Sequence, residues 1–142
     1  MLRERAFSGR LAFCSNFYDS PVMFDWSQYP TVEHAYQAAK TLNKAAREEI
    51  RLASTPGKAK RLGQQVDIRP DWEDVKVEIM RDLVWRKFQI PELAYMLLDT
   101  GDTILEERNY WGDTFWGICD GVGQNWLGKL LMETRERLQT DD

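Results

Sequence analysis

From Thr31 onward the apolar residues recur with a 3.6-residue period. Val32, Ala35, Ala39 and Leu42 form one stripe and Thr31 stands where a cap belongs, so the pattern predicts a helix over about 32–43. A second helical stretch covers about 44–53. It stops at Ser54-Thr55-Pro56-Gly57, where Thr55 caps and Pro56 opens a short helix to about residue 63. Arg69-Pro70 breaks the chain again. Asp71 then caps a long helix to about residue 88 with the stripe Trp72, Val75, Ile79 and Leu83, and Pro91 starts another that Gly101 ends. Upstream, seven aromatic residues from Phe7 to Tyr29 stand among Gly, Pro, Ser and Asn, which fits short strands and turns. Residues 103–107 and 114–118 read as short strands around a polar turn. The loop 121–124 leads into a final amphipathic helix over about 125–138 that buries Leu127, Leu130, Leu131 and Leu138. Helices with a few short strands, and no repeat or linker, predict an α+β fold: a compact, mainly helical single domain over 1–142.

Composition narrows the function classes. At 142 residues the chain is one domain long, and 43% apolar with 30% charged residues is too hydrophobic for disorder. Nineteen basic against 23 acidic side chains give −4, so no general positive field draws in a polyanion, which must be met locally. Apolar runs are only a few residues long, Leu130-Leu131-Met132 among them, too short for a membrane span or a secretory core, which predicts a cytoplasmic protein with no membrane partner. Cys14 and Cys119 are read as reduced thiols. With a single histidine and no CxxC pair, neither a metal nor a cofactor is called for.

The segment Thr31 to Lys40 carries the most chemistry. Glu33, Gln37 and Lys40 share a face opposite the apolar stripe, with Glu33 and Lys40 spanning roughly 10 Å along the axis, room for a small polar ligand between an acid and a base. A solvated face with Glu33 favouring the helix N-terminus is the plain alternative. Histidine as a residue type can exchange a proton near neutrality, so His34 is a candidate acid or base, or a capping residue; Tyr36 is a stacking surface or an edge of the core. Trp72 and Lys76, at i and i+4, offer an aromatic surface beside a cation, or a buried Trp beside surface ion pairs. Lys58 and Lys60 lie in the first turns of a helix, where lysines are unfavourable unless an anion is bound. Gly121-Val122-Gly123-Gln124-Asn125 lacks the third glycine of a dinucleotide fingerprint, yet remains an anion cradle or a tight turn capped by Asn125. Asp113 with Asn109 and Trp116 sets a carboxylate near aromatic rings, although aspartate there is also a turn former.

Taken in order, these segments resemble one family. Asn16-Phe17-Tyr18, Tyr29 through Lys40, Pro56-Gly57-Lys58-Ala59-Lys60, Arg69-Pro70-Asp71-Trp72-Glu73, Thr100-Gly101-Asp102, Phe115-Trp116-Gly117 and Gly123-Gln124-Asn125-Trp126-Leu127-Gly128 look like the NADAR, or YbiA-like, family across essentially the whole chain. The resemblance implies N-glycosidase chemistry, the hydrolysis of a ribose phosphate–nitrogen bond. One associated activity clears damaged riboflavin-pathway ribosylamines, and the other removes ADP-ribose from modified guanine in DNA or RNA. It also implies an essential lysine. An oxocarbenium-like transition state needs nearby negative charge, assigned to Glu33, and a water or protein nucleophile, assigned to Lys40 ahead of Lys60 and Lys76. Asp113 is a lesser acid/base candidate. The expected substrate contacts are Asn16, Phe17, Tyr18, His34, Tyr36, Gln37, Lys58, Lys60, Trp72, Lys76, Trp116, Gly117, Gly123 and Asn125. The phosphate is expected against Lys58, Lys60 and the 121–123 loop, with Trp72 or Trp116 on the base. The small phosphorylated ribosylamine is ranked above ADP-ribosylated guanine because the chain is acidic and lacks the longer inserts of many members. A module that binds ADP-ribose or a nucleotide without cleaving it is the non-enzymatic alternative.

Overall fold

The structure is a computed structural model and describes residues 7–140. It is α+β, mainly helical with four short strands among the described residues. Contacts divide the chain into two units, Asn16–Lys87 and a second made of residues up to 15 with those from 88 onward.

The unit Asn16–Lys87 is built around a buried helix. A hairpin of β1 (Val22–Phe24) and β2 (Ser27–Tyr29) comes first, antiparallel, with Val22 opposite Tyr29. Its two-residue turn puts Asp25 and Trp26 in the left-handed region, as tight hairpin turns need, and leaves Trp26 96% exposed. Helix α1 (Val32–Ala39) follows, capped by the Thr31 hydroxyl, which accepts the His34 N–H at 3.1 Å. All eight of its residues are buried, because α2 (Lys44–Arg51), α3 (Pro56–Gly63), α4 (Trp72–Lys87) and both strands pack against it. Asn43 caps α2 and Thr55 caps α3, each accepting a backbone N–H from three residues on. The predicted helix over 32–43 is shorter than expected. Lys40 is its C-cap, the Thr41 hydroxyl accepts the Asn43 N–H, and Leu42 is turned outward, 61% exposed rather than completing the stripe. On α4 the buried face is Trp72, Met80, Leu83, Val84 and Lys87, whereas Val75 and Ile79 are only half-buried.

In the other unit a short 3-10 helix, Gly9–Cys14, occupies part of the segment expected to form strands. Phe13 meets Phe88 edge-on at 6.2 Å, and α5 (Pro91–Asp99) packs on α6 (Trp126–Thr140) over Leu93, Leu97, Leu127, Leu130 and Leu131. Leu138 is only half-buried; Thr134 and Arg135 are inside instead, with the Arg135 guanidinium donating to the Thr100 hydroxyl and the Thr103 carbonyl. The strands expected over 103–107 and 114–118 are corrected to β3 (Arg108–Asn109) and β4 (Ile118–Cys119), paired in parallel. The reason is where the hydrogen bonds go. The Asn125 side chain accepts the Glu107 N–H and donates to the Leu105 carbonyl, while the carbonyls of Thr114, Phe115, Trp116 and Gly117 accept N–H groups of residues 124–127. Side chain and helix terminus do what a neighbouring strand would otherwise do. Among the described residues no helix is long and apolar enough to cross a membrane, and no His/Cys/Asp/Glu group could hold a metal ion.

Candidate active site

Helix α1 brings Glu33, Tyr36, Gln37 and Lys40 to one place inside the Asn16–Lys87 unit, and the face expected to be either solvated or ligand-facing is enclosed. Glu33 is 8% exposed and Gln37 3%. The Glu33 backbone N–H is tied to the Asn16 carbonyl at 3.0 Å, and its carboxylate accepts a 2.8 Å bond from the Gln37 amide one turn on. Carboxylates are rarely buried without partners, and here the next polar residue on the same face supplies one.

Lys40 closes the helix. Its carbonyl accepts the Arg69 N–H at 2.7 Å, which pins the backbone, and its side chain lies over the Tyr36 ring. Burial holds the amine below the usual lysine value; Glu33 opposes this, and Lys60 and Lys76 push further down. Lys60 of α3 and Lys76 of α4 are therefore electrostatically coupled to Lys40. Trp72, one turn before Lys76, is buried and tilts against Tyr36 with ring centroids 5.3 Å apart. Lys76 also pairs with the exposed Glu73 at 2.7 Å. One carboxylate, three amines and an aromatic pair thus share a neighbourhood, a set able to grip an anionic substrate and to offer an amine held below the usual lysine value.

Other expected contacts fall differently. Lys58 is exposed and donates to the Ser54 hydroxyl at 2.8 Å. It points away from Lys60 because positions two apart on a helix differ by about 200°. His34 is 1% exposed, with Nδ1 2.8 Å from the Thr31 hydroxyl and Nε2 donating to the Ala53 carbonyl at 3.0 Å. Both ring nitrogens are engaged inside the protein, which holds α1 to the end of α2 and fits the packing and capping alternative. Asn16 sits beside α4, its amide 3.6 Å from the Met80 sulfur, with Phe17 and Tyr18 exposed next to it.

The remaining candidates belong to the other unit. Asp113 builds a turn: its Oδ1 accepts the N–H groups of Phe115 and Trp116, and its backbone is bracketed by the Asn109 side chain. The turn-forming alternative read for Asp113 is thus present in the structure. Trp116 meets Phe115 edge-on at 4.8 Å. Gly117 and Gly123 are required by close packing, since a Cβ on either would collide with a backbone carbonyl, that of Glu107 or of Gly117. Just beyond the 121–123 loop, the N–H groups of Gln124 through Leu127 are donated to the carbonyls of residues 114–117, and Asn125 works through its side chain.

Sequence reasoning missed Lys87. It is fully buried on α4 with Nζ 5.6 Å from the Tyr18 ring centroid, a lysine set against the Asn16-Phe17-Tyr18 segment. Its spacing of seven from Met80 was the available signal, because that interval returns to the same helix face.

A NADAR domain family model matches residues 6–139. The chain is 43% identical over 128 residues to the N-glycosidase YbiA of Shigella flexneri, covering 87% of this chain and 79% of that protein. It is 41% identical over 131 residues to a riboflavin biosynthesis protein of Vibrio vulnificus, a match that takes in 89% of this chain but only 35% of that longer protein. The solution structure of the Escherichia coli protein YbiA superposes with a TM-score of 0.85 at 39% identity, covering 97% of this chain and 84% of that one. With a model match over nearly its full length and a helical frame shared with YbiA, the chain belongs to the NADAR domain family.

Proposed function

We propose that this chain hydrolyses the N-glycosyl bond of a phosphorylated ribosylamine, with Glu33 and Lys40 carrying the chemistry. That it is a hydrolase of N-glycosyl bonds rests on its likeness to the N-glycosidase YbiA over most of both chains. The Vibrio relative's name supports a riboflavin-pathway ribosylamine as the substrate. The observation behind the residue assignments is the desolvated Lys40 amine on the same helix as a buried carboxylate, with Lys60 and Lys76 coupled to it.

The Lys40 amine attacks C1′ of the ribose as the bond to the departing nitrogen breaks. The bonding pair leaves with that nitrogen, which takes up a proton. Glu33 offsets positive charge on the sugar as it develops. The ribosyl-lysine opens to an imine, and water adds to release ribose phosphate and free lysine. Lys60 and Lys76 hold the phosphate, and the Tyr36–Trp72 pair faces the heterocycle.

Incubation with a pyrimidine ribosylamine 5′-phosphate, followed by borohydride and mass spectrometry, tests this. Release of ribose phosphate with a reduced adduct on Lys40 is expected. Release without any lysine adduct would replace the amine by water as the nucleophile. If neither this substrate nor an oligonucleotide bearing ADP-ribosylated guanine is cleaved, the hydrolase reading falls and binding without cleavage takes its place. Cleavage of the oligonucleotide alone would reassign the substrate.

A further inference from the structure

Two features around Gln37 are costly on their own. Its Oε1 is buried with no hydrogen-bond partner, and burying an unpaired acceptor is unfavourable. Its amide also presses on Gly63, the last residue of α3, where a Cβ would overlap Oε1, Cδ and Cβ of Gln37. Gly63 does not have the positive φ that makes glycine necessary for the backbone, so the missing side chain serves to make room. Both costs come from keeping the Gln37 side chain where its amide reaches Glu33. The amide Nε2 faces Glu33, and turning the amide over would set Oε1 against a carboxylate oxygen.

We propose that Gln37 is a positioning residue that holds the Glu33 carboxylate in its working orientation, and that Gly63 is the space that allows it. This rests on the assignment of Glu33 as the carboxylate beside the ribosyl centre. Gln37 then acts through Glu33, and its neighbour on α3 gains an influence on the reaction without touching substrate.

The test compares wild type with Gln37→Met, Gln37→Glu, Gly63→Ala and the double variant Gly63→Ala/Gln37→Met, assayed for ribose phosphate release. Methionine keeps the length without the donor, and glutamate keeps the shape but sets a like charge against Glu33. Each single variant should lower kcat by about tenfold or more with KM changed less than about threefold, the pattern of a contact that matters in the transition state. Gln37→Met keeps a side chain of similar length against position 63, so the double variant should lose at least as much kcat as either single one. A pure space-filling role would instead leave kcat intact in both Gln37 variants, and that result overturns the proposal. Should the variants fold poorly, the Gln37 side-chain amide resonance of the wild-type protein decides: it should move on Glu33→Gln, and an unmoved signal overturns the proposal. Full activity in Glu33→Gln would instead remove the underlying assignment of Glu33, a distinguishable failure.

Discussion

The ammonium of Lys40 lies over the ring of Tyr36, Nζ 5.5 Å from its centroid, and the same ring leans on the buried Trp72. A cation over an aromatic face is stabilised by about 0.5–2 kcal/mol, and Glu33 adds to this, yet neither outweighs what burial takes away, since the amine is held below its ordinary value. Tyr36 therefore positions the Lys40 side chain more than it shelters its charge. A lysine placed by an aromatic ring and starved of water is better suited to losing a proton than to forming an ion pair.

Lys40→Met follows directly. The folded chain holds this group below its unfolded value of 10.5, so its stability contribution is complete above that value and is lost as pH falls through the folded one. At pH 7.5 the wild type carries the cost of a charged, poorly hydrated amine. Lys40→Met should be more stable there by about 1 kcal/mol while releasing no product, and its advantage should shrink on going to pH 10.5. Urea denaturation at the two pH values checks the sign; a variant less stable than wild type at neutral pH would contradict it.

Lys60 and Lys76 should each act twice. Both lower the Lys40 value after burial has done most of the work, so Lys60→Met or Lys76→Met lets that value rise and moves the ascending limb of the kcat–pH profile to higher pH. Each also loses a cation for the phosphate, and KM for a phosphorylated ribosylamine should rise about tenfold, while the dephosphorylated ribosylamine shows little change. Steady-state profiles with both substrates separate the two effects.

Much of this was legible in the residues. Thr31 and Thr55 announce α1 and α3 because a cap is a local interaction between neighbours in sequence. The grouping of Glu33, Gln37 and Lys40 follows from helical spacing alone. What periodicity could not show is that α1 is covered on every side, since the burial of its polar face depends on α3 and α4 from elsewhere in the chain. The same limit applied at 103–107, where the decisive partner is the side chain of Asn125, eighteen or more residues away. Lys58 and Lys60 looked alike in sequence and differ only in which side of α3 they occupy.

His34 should prove structural. With both ring nitrogens engaged inside the protein, His34→Ala loses two hydrogen bonds and leaves a cavity, which predicts a destabilisation of about 2–4 kcal/mol. At a temperature where the variant is folded, kcat should stay within about threefold of wild type, because no reacting proton passes through this ring. Thermal unfolding and product release measured on one preparation test both halves. A loss of kcat near a thousandfold in a folded variant would return His34 to the catalytic set.

Asn125 is the corresponding keystone of the other unit. It stands at φ +54, where most side chains are strained, and its amide bonds the backbone of Leu105 and Glu107 at 3.0 and 2.9 Å. Asn125→Ala loses both bonds and keeps the strained backbone, so it should cost about 2–4 kcal/mol. Asn125→Gly loses the same bonds but relieves the strain, and should recover about 1 kcal/mol of that. The difference between the two measures the backbone contribution; the loss that remains measures the side-chain bridge. Amide hydrogen exchange gives the local check, because the Glu107 N–H should lose protection in both variants while the interior of α4 keeps it. If Glu107 stays protected without the Asn125 side chain, another acceptor holds that segment and the bridge is not what replaces the missing strand.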